Sequence, residues 1–401
     1  MPDARVKETE RSPGVSAQQE ECDAESLATL PLEQERGFAA WQRDIPQAYL
    51  GLGPTELDER IAAAKAKLGS RLVILGHHYQ RDEIIKFADY RGDSLKLAQL
   101  AASRTEAQFI VFCGVHFMAE SADILTSPEQ VVILPNMAAG CSMADMANID
   151  DVTDCWEQLL DVCGEAPVPV TYINSTADLK AFCGRNGGIV CTSSNASGVL
   201  DWAFGQGRQA LFFPDQHLGR NTGLKKGIPL EQMPVWRRSM PLGGNEALRL
   251  AGARIVLWDG YCSVHQRFTV QQIEQARRRY SGIKVIVHPE CRMEVVQAAD
   301  LDGSTEFIAR TITGSPAGSQ WAVGTEVNLV HRLATENPDK LVFCLDPVVC
   351  PCSTMYRIHP AYLLWVLDGL LEGKVINRVQ VDRETAVWAK VALDRMLSIT
   401  K

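Results

Sequence analysis

Three of the chain's twelve cysteines stand apart because each closes the same run of elements. The clearest run opens with the β-branched segment KVIVHPEC, continues through the helix pattern MEVVQAAD and a Gly303-Ser304-Thr305 turn, and ends after LVFCLDPVV at Cys350 and Cys352 in CPCSTM. The same order occurs twice more, closing on Cys141 in AAGCSMA and on Cys262 in GYCSVH. His77 to Cys141 and His288 to Cys352 both span 64 residues, and a self-similarity of this length marks a duplicated supersecondary block. Asn174 to Cys262 spans 88, and the polar, Gly/Pro-rich stretch at residues 220–247 can hold the 24 extra residues as an insertion. The register selects Cys352 over Cys350, which sits two residues out of step. Three thiolates from three loops suit a metal group with one ligand position left open. Structural zinc sites use four ligands with short paired spacings, and no C-x2-C pair exists here. A [4Fe–4S] cluster on Cys141, Cys262 and Cys352 would leave one iron free to act as a Lewis acid; buried structural cysteines are the alternative reading.

The elements that must position these sulfurs follow from hydropathy. Runs such as RLVILGHHY, QFIVFCGVH, PVTYINST, ALFFPD and RIVLWDG are nearly continuous apolar strands alternating with helix patterns, which predicts α/β architecture with parallel sheets covered on both faces. We expect three similar three-layer α/β/α domains arranged around a pseudo-threefold centre. Their bounds would be residues 54–141, 142–264 and 265–355, with residues 356–401 packing on the first and residues 1–53 forming a mobile extension whose Trp41 docks on the body. Ligands bind beyond the carboxyl ends of such strands. Those ends carry His77, Tyr79, Tyr172, Asn174, His288 and Glu290 as well as the three cysteines. Glu290 with Tyr79, Tyr172 and His288 could shuttle protons, although a carboxylate there also suits a helix first turn. The turns Gly92-Asp93-Ser94, Thr192-Ser193-Ser194 and Gly303-Ser304-Thr305 each precede a helix pattern, where free N–H groups and hydroxyls make an anion site. Taken singly, each hydroxyl reads as an N-cap; at matching register they point to a substrate with several negative groups.

The composition excludes other classes. A formal charge of −9 argues against a nucleic-acid surface, so an anionic ligand would need local features to hold it. No apolar run reaches the roughly 18 residues of a membrane span, and the first residues, MPDARVKETERSPG, lack a signal-peptide core; we expect a cytoplasmic protein. In a reducing compartment Cys22, Cys113, Cys155, Cys163, Cys183, Cys191 and Cys344 read as bland residues rather than disulfide halves. Near the start of the body, PTELDERIAAAKAKLG reads as a helix with Thr55 as N-cap and Gly69 beyond its end.

Taken in order, GHHYQ, FADYRGDSL, GVHFMAES, AAGCSMA, YINST, CTSSNA, FPDQHLGR, CSVH, VHPEC, GSTEF, GTE and CSTM resemble the quinolinate synthases, iron–sulfur enzymes of NAD biosynthesis, from about Leu57 to the C-terminus. The resemblance implies a triangle of three α/β domains around a [4Fe–4S] cluster held by Cys141, Cys262 and Cys352. It implies a condensation of iminoaspartate with dihydroxyacetone phosphate to quinolinate, releasing phosphate and two waters. Substrate-contacting positions carry over to His77, Tyr79, Ser94, Tyr172, Asn174, Ser193, His288, Glu290, Ser304 and Thr305. Glu290 and Tyr79 would be the acid/base pair, with His288 and His77 in positioning and proton transfer. It also implies functional coupling to an enzyme that produces iminoaspartate.

Overall fold

The computed structural model describes residues 29–35, 45–207, 209–348 and 351–399. Three sheets organise it. The first holds β1 (Leu72–His77), β2 (Tyr90–Gly92), β3 (Phe109–Cys113) and β4 (Val131–Ile133). The second holds β5 (Val168–Tyr172), β6 (Ile189–Cys191), β7 (Ala210–Phe213), β8 (Val235–Trp236) and β9 (Ile255–Trp258). The third holds β10 (Lys284–Val287), β11 (Leu301–Asp302), β12 (Gln320–Gly324) and β13 (Leu341–Cys344). The strand orders β2-β1-β3-β4, β6-β5-β7-β9 and β11-β10-β12-β13 are the same path traced three times, all parallel and flanked by helices. Residues of β1, β5 and β7 are buried throughout, as parallel strands covered on both faces require.

Register brings the three turns to equivalent places. His77 pairs with Gly92, Tyr172 with Cys191 and Val287 with Asp302, so Ser94, Ser193 and Ser304 each lie two residues beyond the partner of a first-strand end.

The extra residues of the second unit are ordered into the sheet. Residues 220–247 begin inside the helix Gln216–Lys225 and then supply β8, which pairs parallel to β9 through Val235–Leu257 and Trp236–Trp258. Trp236 is buried, and Gly243, at φ 61°, passes so close to its ring that a Cβ would lie 2.5 Å from it. On the first sheet the same edge is covered by β14 (Arg378–Val379), antiparallel to β4.

Three expectations need correction. The last helix, Arg383–Ile399, packs chiefly on the second unit's helix Ala177–Arg185 and touches the first unit's helix His116–Leu125 more lightly; a Cβ on Gly184 would fall 1.9 Å from the Trp388 carbonyl oxygen. Its predecessor Pro360–Leu371 does pack on the first unit, against Pro54–Leu68. The latter helix is entered through Gly53 with Pro54 in its first turn, so Thr55 is not the N-cap, whereas Gly69 ends it at φ 55°. Finally, residues 29–35 and 45–53 are no free tail, since Leu32 and Ile45 are buried; Trp41 and Cys22 lie outside the described residues. The apolar interior divides in two. The first and second sheets share one continuous core with the C-terminal helices, and the third sheet has its own, with Tyr79 touching both.

Candidate functional site

Where the carboxyl ends of the three sheets face one another they form a narrow cavity of about 70 Å³ lined by Cys141, Cys262 and Cys352. The three cysteines are built alike. Each precedes a single 3-10 turn by three residues: Ala144–Met146, His265–Arg267 and Met355–Arg357. The carbonyl oxygen of each cysteine accepts from the N–H four residues on, from Asp145 at 3.1 Å, Gln266 at 3.2 Å and Tyr356 at 2.9 Å. Backbone N–H groups of Ala144 and Met143, of His265, and of Met355 and Thr354 point at the respective sulfurs. All three are free thiols. Burial pushes Cys141 up to about 12, with Cys352 and Glu290 adding to it; burial, Glu290 and the other two cysteines hold Cys262 well above the usual thiol range, and burial raises Cys352. A cationic metal group placed among these sulfurs would reverse that penalty and deprotonate them, and the directed N–H groups would stabilise the thiolates. The donor set therefore fits a thiolate-held metal group. A second donor set overlaps it: the ligand atoms of Cys262, His265 and Glu290 lie within 4.8 Å of one another.

Beside the thiols runs a chain of proton-carrying groups. Glu290 accepts a hydrogen bond from His265 Nδ1 at 2.8 Å and faces His288 Nδ1 at 3.9 Å, and the two imidazoles stack at 4.5 Å. Burial alone would raise Glu290, but His288, His265 and the Tyr172 hydroxyl bring it down to about 2, so its carboxylate stays ionised. Burial lowers His288 to about 3 and His77 well below the imidazole range, keeping both neutral. The Tyr79 hydroxyl shares a hydrogen bond with Thr325 Oγ1 at 2.8 Å, and Thr325 Oγ1 lies 3.3 Å from His265 Nε2. A continuous path thus joins Tyr79, Thr325, His265, Glu290 and Tyr172; burial and Glu290 hold both tyrosines protonated.

The hydroxyl turns complete the wall. Ser94 opens the helix Ser94–Ser103, capped by Asp93, which accepts from Lys96 N at 2.9 Å. Thr305 opens Thr305–Thr313, and Ser193 precedes Ala196–Gly205, where Thr192 N donates to Asn195 Oδ1 at 2.6 Å. Ser94, Ser193 and Thr305 line the cavity together with His77, Tyr79, Tyr172, Asn174, His288 and Glu290. Ser304 does not: its hydroxyl caps the helix by accepting from Phe307 N at 3.3 Å, and it faces an adjoining groove. Asn174 Oδ1 is buried without a partner among the described residues, an acceptor held ready for a ligand. Among the described residues lining the cavity none is Lys or Arg, so an anion entering it meets hydroxyls, N–H groups and helix N-termini.

Sequence reasoning missed His265 and Thr325. His265 stands three residues after Cys262, a spacing that places it at the start of the turn built on that cysteine, and this signal was available. Thr325 lies 60 residues from His265 and 246 from Tyr79, and no local pattern announces it. Cys350 lies outside the described residues.

Fold and site together define an α/β enzyme assembled from three repeated sheets around a thiol-lined, acid–base-equipped cavity. Residues 59–398 match the family model described as quinolinate synthetase A protein. The chain is 58% identical over 359 residues to the quinolinate synthase of Corynebacterium glutamicum, covering 89% of this chain and 91% of that one. It is 53% identical over 376 residues to that of a Nocardioides species, covering 92% and 94%, and 54% identical over 357 residues to that of Geobacillus kaustophilus, covering 89% and 97%. The chain belongs to the quinolinate synthetase A family. No helix among the described residues is long and apolar enough to cross a membrane.

Proposed function

We propose that this chain condenses iminoaspartate with dihydroxyacetone phosphate to quinolinate, releasing one phosphate and two waters, with a [4Fe–4S] cluster held by Cys141, Cys262 and Cys352. The reading rests on one observation above all: three identically built cysteine turns converge on the cavity that also holds the ionised Glu290 and its histidines. When bound, such a group supplies a Lewis acid for substrate oxygens at the iron the protein does not ligate. The chain's own residues do the rest. Ser94, Ser193 and Thr305, at or near helix N-termini, hold carboxylate and phosphate oxygens. Asn174 and His77 orient the substrates. Tyr79, protonated and coupled through Thr325 to His265, gives a proton to a departing hydroxyl, while Glu290 takes one from carbon or nitrogen and returns it along the same path. His288, neutral and stacked on His265, accepts from the Glu290 backbone N–H at 3.4 Å and so fixes the turn that carries the carboxylate. The enclosing sheets keep bulk water from the imine. We place the enzyme in the cytoplasm, fed by an enzyme that makes iminoaspartate.

Anaerobic purification with iron and sulfide counts, followed by an assay for quinolinate from the two substrates, tests this. We expect about four of each per chain and product formation; absence of product with a full complement of iron would end the reading. Cys141→Ala, Cys262→Ala and Cys352→Ala should each lose metal and turnover, and Cys350→Ala should keep both. A second reading, one divalent metal on Cys262, His265 and Glu290, predicts instead that Cys141→Ala and Cys352→Ala keep their metal.

A further inference from the structure

The family match begins at residue 59, yet residues upstream of it are packed against the back of the Cys352 turn. Leu32 is fully buried, and the Leu30 carbonyl accepts from His359 Nε2 at 2.9 Å. The Glu35 carboxylate meets Arg81 Nη1 at 2.8 Å, with the two side chains 4% and 1% exposed. Arg81 then reaches the turn: its Nη2 donates to the Tyr356 carbonyl at 2.7 Å, and its guanidinium stacks on the Tyr356 ring at 3.6 Å. The Tyr356 hydroxyl in turn bonds Glu35. Tyr356 is the residue whose N–H closes the turn on the Cys352 carbonyl.

At the other two cysteine turns the arginines are part-exposed: the Met146 carbonyl accepts from the buried Trp258 indole at 2.8 Å and from the half-exposed Arg238 at 3.4 Å, and in the Cys262 turn Arg267, 38% exposed, pairs with Asp346 while the Gln266 amide donates to the Glu290 carbonyl at 3.3 Å. At Cys352 neutral and acidic groups also help, with Gln80 donating to the Met355 carbonyl at 3.1 Å and Glu326 accepting from Cys352 N at 3.2 Å. The distinctive brace is a buried cation, which is tolerated only beside a counter-charge. Among the described residues Glu35 is the carboxylate in ion-pair contact with Arg81.

We infer that Glu35 is a positioning residue for Cys352: the strap at residues 29–35 neutralises Arg81 and, through Arg81 and Tyr356, sets the third thiol in the cavity. The inference rests on the proposed function only for what Cys352 holds; where its sulfur sits can be measured without metal. Removing the carboxylate's charge leaves the guanidinium buried and uncompensated. It then draws in water or shifts, releasing the Tyr356 carbonyl and loosening the turn.

The test uses the full chain, metal-free and reduced, with the rate of iodoacetamide alkylation mapped separately to Cys141, Cys262 and Cys352. Loss of a hydrogen bond to a charged group opens a local turn at least about tenfold more often, so Glu35→Gln should speed alkylation of Cys352 by at least about that factor and leave the other two within about twofold. Glu35→Asp, which keeps the charge, should restore most of the protection. In iron-loaded protein Glu35→Gln should also lose iron faster to a chelator. A general loosening would speed all three thiols together, and that result, or an unchanged rate at Cys352, overturns the inference. Should Glu35→Gln fail to fold, the pair with Arg81→Met removes both charges and still deprives Tyr356 of its donor; a parental Cys352 rate there is equally fatal. If the chain made no quinolinate, the parent enzyme would show it while the alkylation result stood unaffected.

Discussion

Replacing Glu290 with glutamine keeps the side chain's size and changes one thing, the charge. The carboxylate is buried, accepts from His265 at 2.8 Å and faces His288 at 3.9 Å. A hydrogen bond to a charged group is worth about 1.5–3 kcal/mol, which at about 1.36 kcal/mol per factor of ten is roughly a 10- to 150-fold loss from positioning alone. If Glu290 also moves a proton, another factor of about 10²–10⁴ goes with it. The expected outcome is a fall in kcat of at least about 100-fold with parental iron and sulfide content, because the side chain touches the Cys262 turn only through the His265 imidazole, a bond the glutamine amide oxygen still accepts. Single-turnover assays on metal-matched samples would separate the chemical step from product release. A kcat within about threefold of the parent would show that the ionised carboxylate does no chemistry, and a large loss of iron would show that it is a ligand instead.

Two further predictions concern stability. Burial holds His77 below the imidazole range and His288 and His359 at about 3. Their unfolded value is about 6.5, so as pH falls the unfolded chain takes up protons first. Stability present above about 6.5 is therefore lost progressively toward pH 3, by about 2 kcal/mol each for His288 and His359 at pH 5. Urea midpoints measured from pH 7.5 to 4.5 should fall, and less steeply in His288→Asn; an unchanged slope in that variant would place the acid sensitivity elsewhere. Gly184→Ala should cost about 1–3 kcal/mol by overpacking, because the new Cβ meets the Trp388 carbonyl oxygen. A parental thermal midpoint would mean that the last helix does not press on that residue.

The repeat was legible because it is written in two local signals, the apolar strand and the cysteine that closes the unit, and the strand registers keep those signals aligned in space. The three sulfurs and most cavity-lining side chains could accordingly be named from position alone. The 24 additional residues could be counted, but their fate could not: β8 forms because Val235 and Trp236 find β9, a partner more than 20 residues away. The main neighbour of the final helix, in the second unit, was not legible because an amphipathic stripe specifies that a face is buried, not against which partner. Ser304 shows the same limit in small: a hydroxyl at the right register can cap its own helix instead of facing the cavity, and a one-residue shift of the helix start decides which. Glu35 was hidden because its partner is 46 residues downstream.

The division of the interior into two cores has a consequence for how the enzyme tolerates damage. All three sulfurs are seated on the larger core, whereas Glu290, His288, Thr305 and Thr325 are carried by the third sheet's unit, built around the smaller one. Seating the three sulfurs and holding the Glu290 carboxylate thus stand on separate foundations, with Tyr79 bridging the two. Mutational wear beneath the smaller foundation can displace Glu290 and still leave the three sulfurs seated, so retention of the metal group proposed above would be a poor witness to competence in this molecule.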